Sequence, residues 1–175
     1  MATYKIDNAH SEITFKVRHL MISNITGHFT KFDATMTCEN EDFTDASVSF
    51  DADVNSVTTN QEQRDTHLLS DDFFNAEKFP KITFKSTSIE KKSDDEYILH
   101  GDLTIRDVTK NIPVKVEYNG QTTDPWGQQK LGFELTGKIS RKEFGLKWNA
   151  LTEAGGVVAG DEVRLISNVQ MIKQA

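Results

Sequence analysis

The five histidines come first, because imidazole is the side chain that most readily binds a metal or moves a proton near neutral pH. They stand at positions 10, 19, 28, 67 and 100. No two of them have the three-to-five spacing of a zinc pair, and Cys38 is the single cysteine, so no metal-ligand signature is present. Nucleophilic chemistry finds no support either. There is no G-x-S-x-G elbow, and Cys38 has no cysteine-protease context. In KFDATMTCE it shares the face of Phe32, Ala34 and Met36, where a free thiol behaves as a small hydrophobe. Gly155-Gly156 in TEAGGVVAG lacks the lysine and following helix of a phosphate loop. No catalytic residue, metal or cofactor is expected.

What remains is Arg64-Asp65-x-His67, inside NQEQRDTHLLSDDFFNAEKFP, residues 60–80. Arg64 suits a bidentate contact with a carboxylate or phosphate. It has two uses: pinning the segment through Asp65 or a nearby acid, or, with His67, meeting the polar head of a ligand. Thr59-Asn60-Gln61-Glu62 reads as a capping box opening a helix from about Asn60 to Leu69. Ser70 is placed to cap a further turn through Asp71, Asp72 and Phe73. Leu68, Leu69 and Phe73 then share an apolar side, and Pro80 returns Phe79 to extended backbone.

The flanking chain alternates with period two. Ile13, Phe15, Val17 and His19 share one face. So do Val48, Phe50, Ala52 and Val54; Ile82 and Phe84; Tyr97, Leu99, Gly101, Leu103 and Ile105; Ile112, Val114 and Val116; Leu131, Phe133, Leu135 and Ile139; and Val163, Leu165, Val169 and Met171. One apolar and one polar face mark antiparallel strands wetted on one side. Residues 90–96 and 118–127 read as hairpin loops. With no βαβ rhythm, repeat or linker, residues 1–175 form one all-β domain, a barrel or sandwich.

Such a barrel either fills itself with side chains or holds one slender ligand, and alternation alone leaves both open. The eleven phenylalanines make either interior strongly aromatic. The net charge of −7 argues against nucleic acid or an anionic membrane surface as a partner. No stretch approaches the length of an integral membrane helix. The opening MATYKIDNAHS has no signal-peptide pattern, so the expected location is cytoplasmic, or periplasmic if a signal segment has been removed.

Several stretches together resemble one family. Tyr4-x-Ile6-Asp7-x-x-His10-Ser11 leads into Ile13-x-Phe15-x-Val17-x-His19-Leu20, then Gly27-x-Phe29 and Phe32. Ser56-Val57-x-Thr59, Arg64-Asp65-x-His67-Leu68 and Asp72-Phe73-Phe74 follow, then Phe79-Pro80-x-Ile82-x-Phe84-x-Ser86. Gly101-x-Leu103-Thr104-Ile105, Val108-Thr109 and Arg141-x-x-Phe144-Gly145 complete the set. In order and spacing these resemble the YceI-like family of polyisoprenoid-binding, lipocalin-like bacterial proteins.

That resemblance implies an extended eight-stranded antiparallel lipocalin-like β-barrel with a short helical excursion around residues 60–76. It implies an elongated apolar cavity for a long isoprenoid, an isoprenoid quinone, a fatty-acid derivative or another amphiphilic lipid, with no catalytic centre. The expected ligand wall is Phe15, Val17, His19, Phe29, Phe32, Phe50, Phe84, Leu103, Ile105, Phe133 and Leu135 on strands. Leu68, Phe73 and Phe74 join from the excursion, with Phe144 and Trp148 over one end. Arg64, His67 and Arg141 are candidates for the polar head, and homodimerisation is a further expectation. Many relatives are exported, whereas this chain shows no signal, and Asp107 replaces a small residue before Val108-Thr109. Two rival functions stay open: an enzyme pairing His19 with His67 or an acid on a lipid-like substrate, and a filled barrel serving interaction or stress response.

Overall fold

The computed structural model describes residues 1–20, 22–148 and 159–175, so Gly155-Gly156 lies outside the described residues. The strands are β1 (Ala2–Ile6), β2 (Glu12–His19), β3 (Ser23–Phe29), β4 (Phe32–Cys38), β5 (Ser47–Asp53) and β6 (Val57–Thr58). After helix α1 (Glu62–Leu68) come β7 (Lys81–Lys91), β8 (Glu96–Ile105), β9 (Val108–Thr123), β10 (Gln129–Ser140) and β11 (Ala159–Lys173). All pairings are antiparallel, and β11 pairs with β10 on one edge and with both β2 and β1 on the other. β1 with β2, β3 with β4, and β5 with β6 act as three interrupted strands, and the sheet closes as an eight-stranded barrel.

The interruptions have local causes. Asp7 caps the turn Asn8–His10 by accepting the Ala9 N–H at 3.1 Å. Asn8 Nδ2 donates to the Phe32 carbonyl at 2.6 Å, and Ser56 accepts the Thr30 N–H at both its carbonyl (3.2 Å) and its hydroxyl (3.1 Å). Turn and cap bonds thus replace ladder bonds where the strands bend. Closure also removes the exposed edges that would invite aggregation.

The core lies on the inner face, and the alternating residues occupy it as expected. One loop differs from the expectation. β9 continues to Thr123, so most of 118–127 is strand and the loop shrinks to Asp124–Gln128. Gly120, with φ of 107°, allows the bend at the register shift near Gly132.

The helix also differs. It spans only Glu62–Leu68, and its cap is Gln61, whose side chain accepts the Arg64 N–H. Thr59 does not cap, because Asn60 is left-handed (φ 63°) and the Thr59 hydroxyl is engaged elsewhere. Ser70 opens no second helical turn. Its hydroxyl donates back to the His67 carbonyl at 2.6 Å, and the chain leaves through bonds such as Phe74 N–H to the Leu68 carbonyl at 3.0 Å. A compact non-helical turn sequence carries residues 69–80 to β7.

Candidate functional site

Inside the barrel is a cavity of about 650 Å³, within the range of small-molecule sites. The interior is therefore not filled. Inward-facing Phe15, Val17, Phe50, Leu135 and Leu165 are only half-buried, although each packs against the core. Leu99, Leu103, Val114 and Val116 line the same space and are buried.

Of the expected wall, Phe15, Val17, His19, Phe29, Phe50, Phe84, Leu103, Ile105, Phe133 and Leu135 line the cavity from strands. Leu68, Phe73, Phe74 and Trp148 line it from the connections, and Arg64, His67 and Arg141 also reach it. Two residues do not. Phe32 sits at the break between β3 and β4, packed on the core but off the cavity wall. Phe144, 1 % exposed, is buried in the turn after β10 and faces a separate shallow hollow beside Lys110 and Glu143.

The amide and charged groups of the lining gather mainly at one end, while Thr14, Thr136 and Ser167 add hydroxyls from the strands. Exposed Gln61 and Gln63 line the cavity there with Thr59, Arg64 and His67, which marks the mouth. Arg64 donates from Nε to the Thr59 hydroxyl and from Nη2 to the Thr59 carbonyl, both at 2.7 Å. Asp65 accepts the Thr59 N–H at 2.8 Å and the Thr59 hydroxyl. The Arg-Asp pair thus clasps a buried threonine at the end of β6, which favours the pinning role. His67 Nε2 lies 2.8 Å from Asp72 Oδ2, and its ring meets Phe73 (5.1 Å) and Trp148 (4.6 Å) edge-on.

Arg141 is 3 % exposed, and its guanidinium bonds to backbone. Nε donates to Gly160 (2.7 Å), Nη1 to Leu146 and Trp148 (both 2.7 Å) and Nη2 to Ala159 (3.1 Å), all backbone carbonyls. Burial pulls its pKa down, and Asp161 opposes this. It is a staple holding the segment after β10 to the start of β11. A third arginine has a similar task. Arg106, left-handed at the β8–β9 turn, donates from Nη1 to the carbonyls of Asp71 (2.9 Å) and Phe73 (3.0 Å), and from Nη2 to the Asp71 carboxylate (2.9 Å).

The other end is shut by Phe43, from the loop between β4 and β5. Its ring packs edge-on to Tyr97 (6.2 Å), Tyr118 (5.0 Å) and Phe133 (5.6 Å). Asp45 accepts the N–H groups of Glu39 (2.8 Å) and Asn40 (3.0 Å), and the Tyr97 hydroxyl donates to the Asp42 carbonyl at 2.7 Å. Phe43 and Arg106 both escaped the sequence reading. The one signal for Phe43 was a lone aromatic inside the turn-forming run ENEDFTD.

A closed antiparallel barrel, a largely apolar cavity and a helical cover over its polar mouth agree with the family suggested by the motifs. The YceI-like domain model matches residues 4–171. The chain belongs to the YceI-like family. It is 41 % identical over 175 residues to the protein YceI of Salmonella newport (strain SL254), covering 99 % of this chain and 88 % of that one. The crystal structure of the Campylobacter jejuni YceI protein superposes with a TM-score of 0.77 at 30 % identity, covering 90 % of each chain. A polyisoprenoid binding domain from Saccharophagus degradans, implicated in plant cell wall breakdown, matches with a TM-score of 0.69 and covers 98 % of each chain. At 13 % identity that last likeness concerns the fold alone. Among the described residues of this YceI-like barrel, no three His, Cys, Asp or Glu side chains gather in a metal-binding group. No described helix is long and apolar enough to cross a membrane.

Proposed function

We propose that the barrel binds one long-chain amphiphilic lipid, a polyisoprenoid, isoprenoid quinone or fatty-acid derivative, and sequesters or carries it without chemical change. The observation that carries this reading is the distribution of polarity: a largely apolar lumen shut by Phe43, with its charged and amide groups near the opposite mouth and only the hydroxyls of Thr14, Thr136 and Ser167 along the strands. Each CH₂ moved from water into such a lumen contributes about 0.8 kcal/mol, so a long tail binds tightly with few polar contacts. The tail points toward Phe43 and the head stays near Gln61, Gln63 and His67. The fold shared with a polyisoprenoid binding domain supports an isoprenoid as the tail. The bonding around Arg64, Asp65 and Arg141 supports a carrier, since these groups are spent on backbone and threonine partners.

The test is retention of added ligand. Protein incubated with a polyprenyl phosphate or a long-tailed quinone is expected to co-elute with it on gel filtration and to change the fluorescence of Trp148 at the mouth. Failure to retain either ligand would contradict the proposal.

A further inference from the structure

Gly27 in β3 lies directly opposite Phe15 in β2. Its backbone has no positive φ, so a side chain is not excluded by conformation. Glycine weakens a strand interior, and one reason to find it there is a close approach by a neighbour. The neighbour here is a ring. A Cβ at Gly27 would stand 2.3 Å from Phe15 Cζ and 2.8 Å from each Cε, and those ring atoms are its three nearest contacts. The Phe15 ring therefore lies back over the bare Cα. Phe84 repeats the arrangement over Gly101 in β8, where a Cβ would meet its Cζ at 2.3 Å and the Lys85 carbonyl oxygen at 2.8 Å. Both rings line the cavity.

Resting on the carrier reading above, we infer that Gly27 and Gly101 set the bore of the cavity, holding two phenyl rings against the wall so that a methyl-branched chain fits where only a straight one otherwise would. A Cβ at either position has to displace something. At Gly101 the obstacle includes backbone, so the strand itself must shift. At Gly27 it is the free end of one side chain, and the displaced ring must occupy part of the lumen. A straight polymethylene tail is the slimmest long chain, and every methyl branch widens it by one carbon. The bore at Phe15 thus discriminates by cross-section rather than by length, and Gly27 is its specificity-determining residue.

The experiment compares a polyprenyl phosphate with a straight-chain alkyl phosphate of matched length, so that the head group is constant. Wild type is expected to retain both. Gly27→Ala is expected to weaken the branched probe about tenfold or more and the straight probe less, the scale of one misplaced carbon in an apolar pocket. The double variant Phe15→Leu/Gly27→Ala removes the ring and is expected to restore the branched probe. Gly132→Ala, whose Cβ would meet only Asn119 Cβ at an ordinary 3.6 Å, is expected to match wild type. A folded Gly27→Ala that binds both probes like wild type overturns the bore assignment while leaving the carrier reading standing. Retention of neither probe by wild type overturns the carrier reading itself, and the bore assignment with it. Should Gly27→Ala fail to fold, the double variant decides. A folded double with wild-type preference supports the assignment, and an unfolded double shows that backbone, not the ring, excludes the Cβ.

Discussion

The two ends of the barrel are built from the same strands and finished in opposite ways. At the closed end a short loop turns Phe43 inward against Tyr97, Tyr118 and Phe133, and aspartates tie the loop to itself. At the mouth a long excursion crosses the opening, held by Arg64 on Thr59 and by Arg106 on the carbonyls of Asp71 and Phe73. Aromatic packing excludes solvent, whereas hydrogen bonds to backbone leave room beneath them. The contrast shows how an eight-stranded barrel, just wide enough to fill itself, keeps a lumen: one connection plugs and the others cover. The charged and amide groups of the lumen come mainly from its connections, since the strand faces are mostly apolar.

The strongest way to break the contrast is to unplug the closed end. Phe43→Ala is expected to cost about 3–5 kcal/mol in a denaturant titration and to speed loss of bound chain, because both ends are then open. A second break exploits the charges outside that end. Lys130 Nζ lies 2.8 Å from Asp7 and 3.6 Å from Asp124, all three side chains nearly buried. Burial alone would raise the pKa of Asp7, but its bonds to Lys130 and His10 bring it below the ordinary 3.8. Burial likewise opposes, and the backbone N–H groups of Gln128 and Trp126 with Lys130 overcome, in lowering Asp124. Carboxylates with depressed native pKa values stabilise the fold above the unfolded value, and this contribution is lost as pH falls through the lower native value. Wild type is therefore expected to lose it only below about pH 4. In Lys130→Met burial acts on Asp7 without its main opponent, so acid unfolding, followed by circular dichroism, is expected to begin at higher pH.

At the mouth the expected effects are smaller. Arg64→Ala removes two bonds to Thr59 and is expected to lower stability by about 1–3 kcal/mol in thermal melts, with retention of an apolar chain preserved. Loss of retention at unchanged stability would assign Arg64 to the ligand's head instead. Asp72→Asn is expected to matter least. The His67–Asp72 pair is half-exposed, and such pairs are worth about 0–1 kcal/mol, so melting should barely move.

Much of this architecture was legible in the chain. Alternation exposed the strand faces because a barrel gives each strand one dry and one wet side, and the same property made most of the cavity wall readable, from Phe15 to Leu135. Cavity and filled core could not be separated this way, since both present identical faces. Thr59 imitated a capping box because the helix cap and the clasp use the same hydroxyl, and only the left-handed turn at Asn60 decides between them. Arg141 stood as a head-group candidate because its partners are carbonyls, which every residue has and no residue type reveals. Phe32 shared the apolar face of β4, but the bend at Thr30 and Lys31 takes it off the wall. Phe43 broke no pattern, because turns have none.

Whether this lumen holds a long amphiphile in the cell is decided by organic extraction and mass spectrometry of the protein purified from its native host. A long-chain isoprenoid or related lipid is expected in near-stoichiometric amount from the wild type, and less from Phe43→Ala. Protein that yields no lipid, and retains none when polyprenyl phosphate or quinone is added, would contradict the carrier reading.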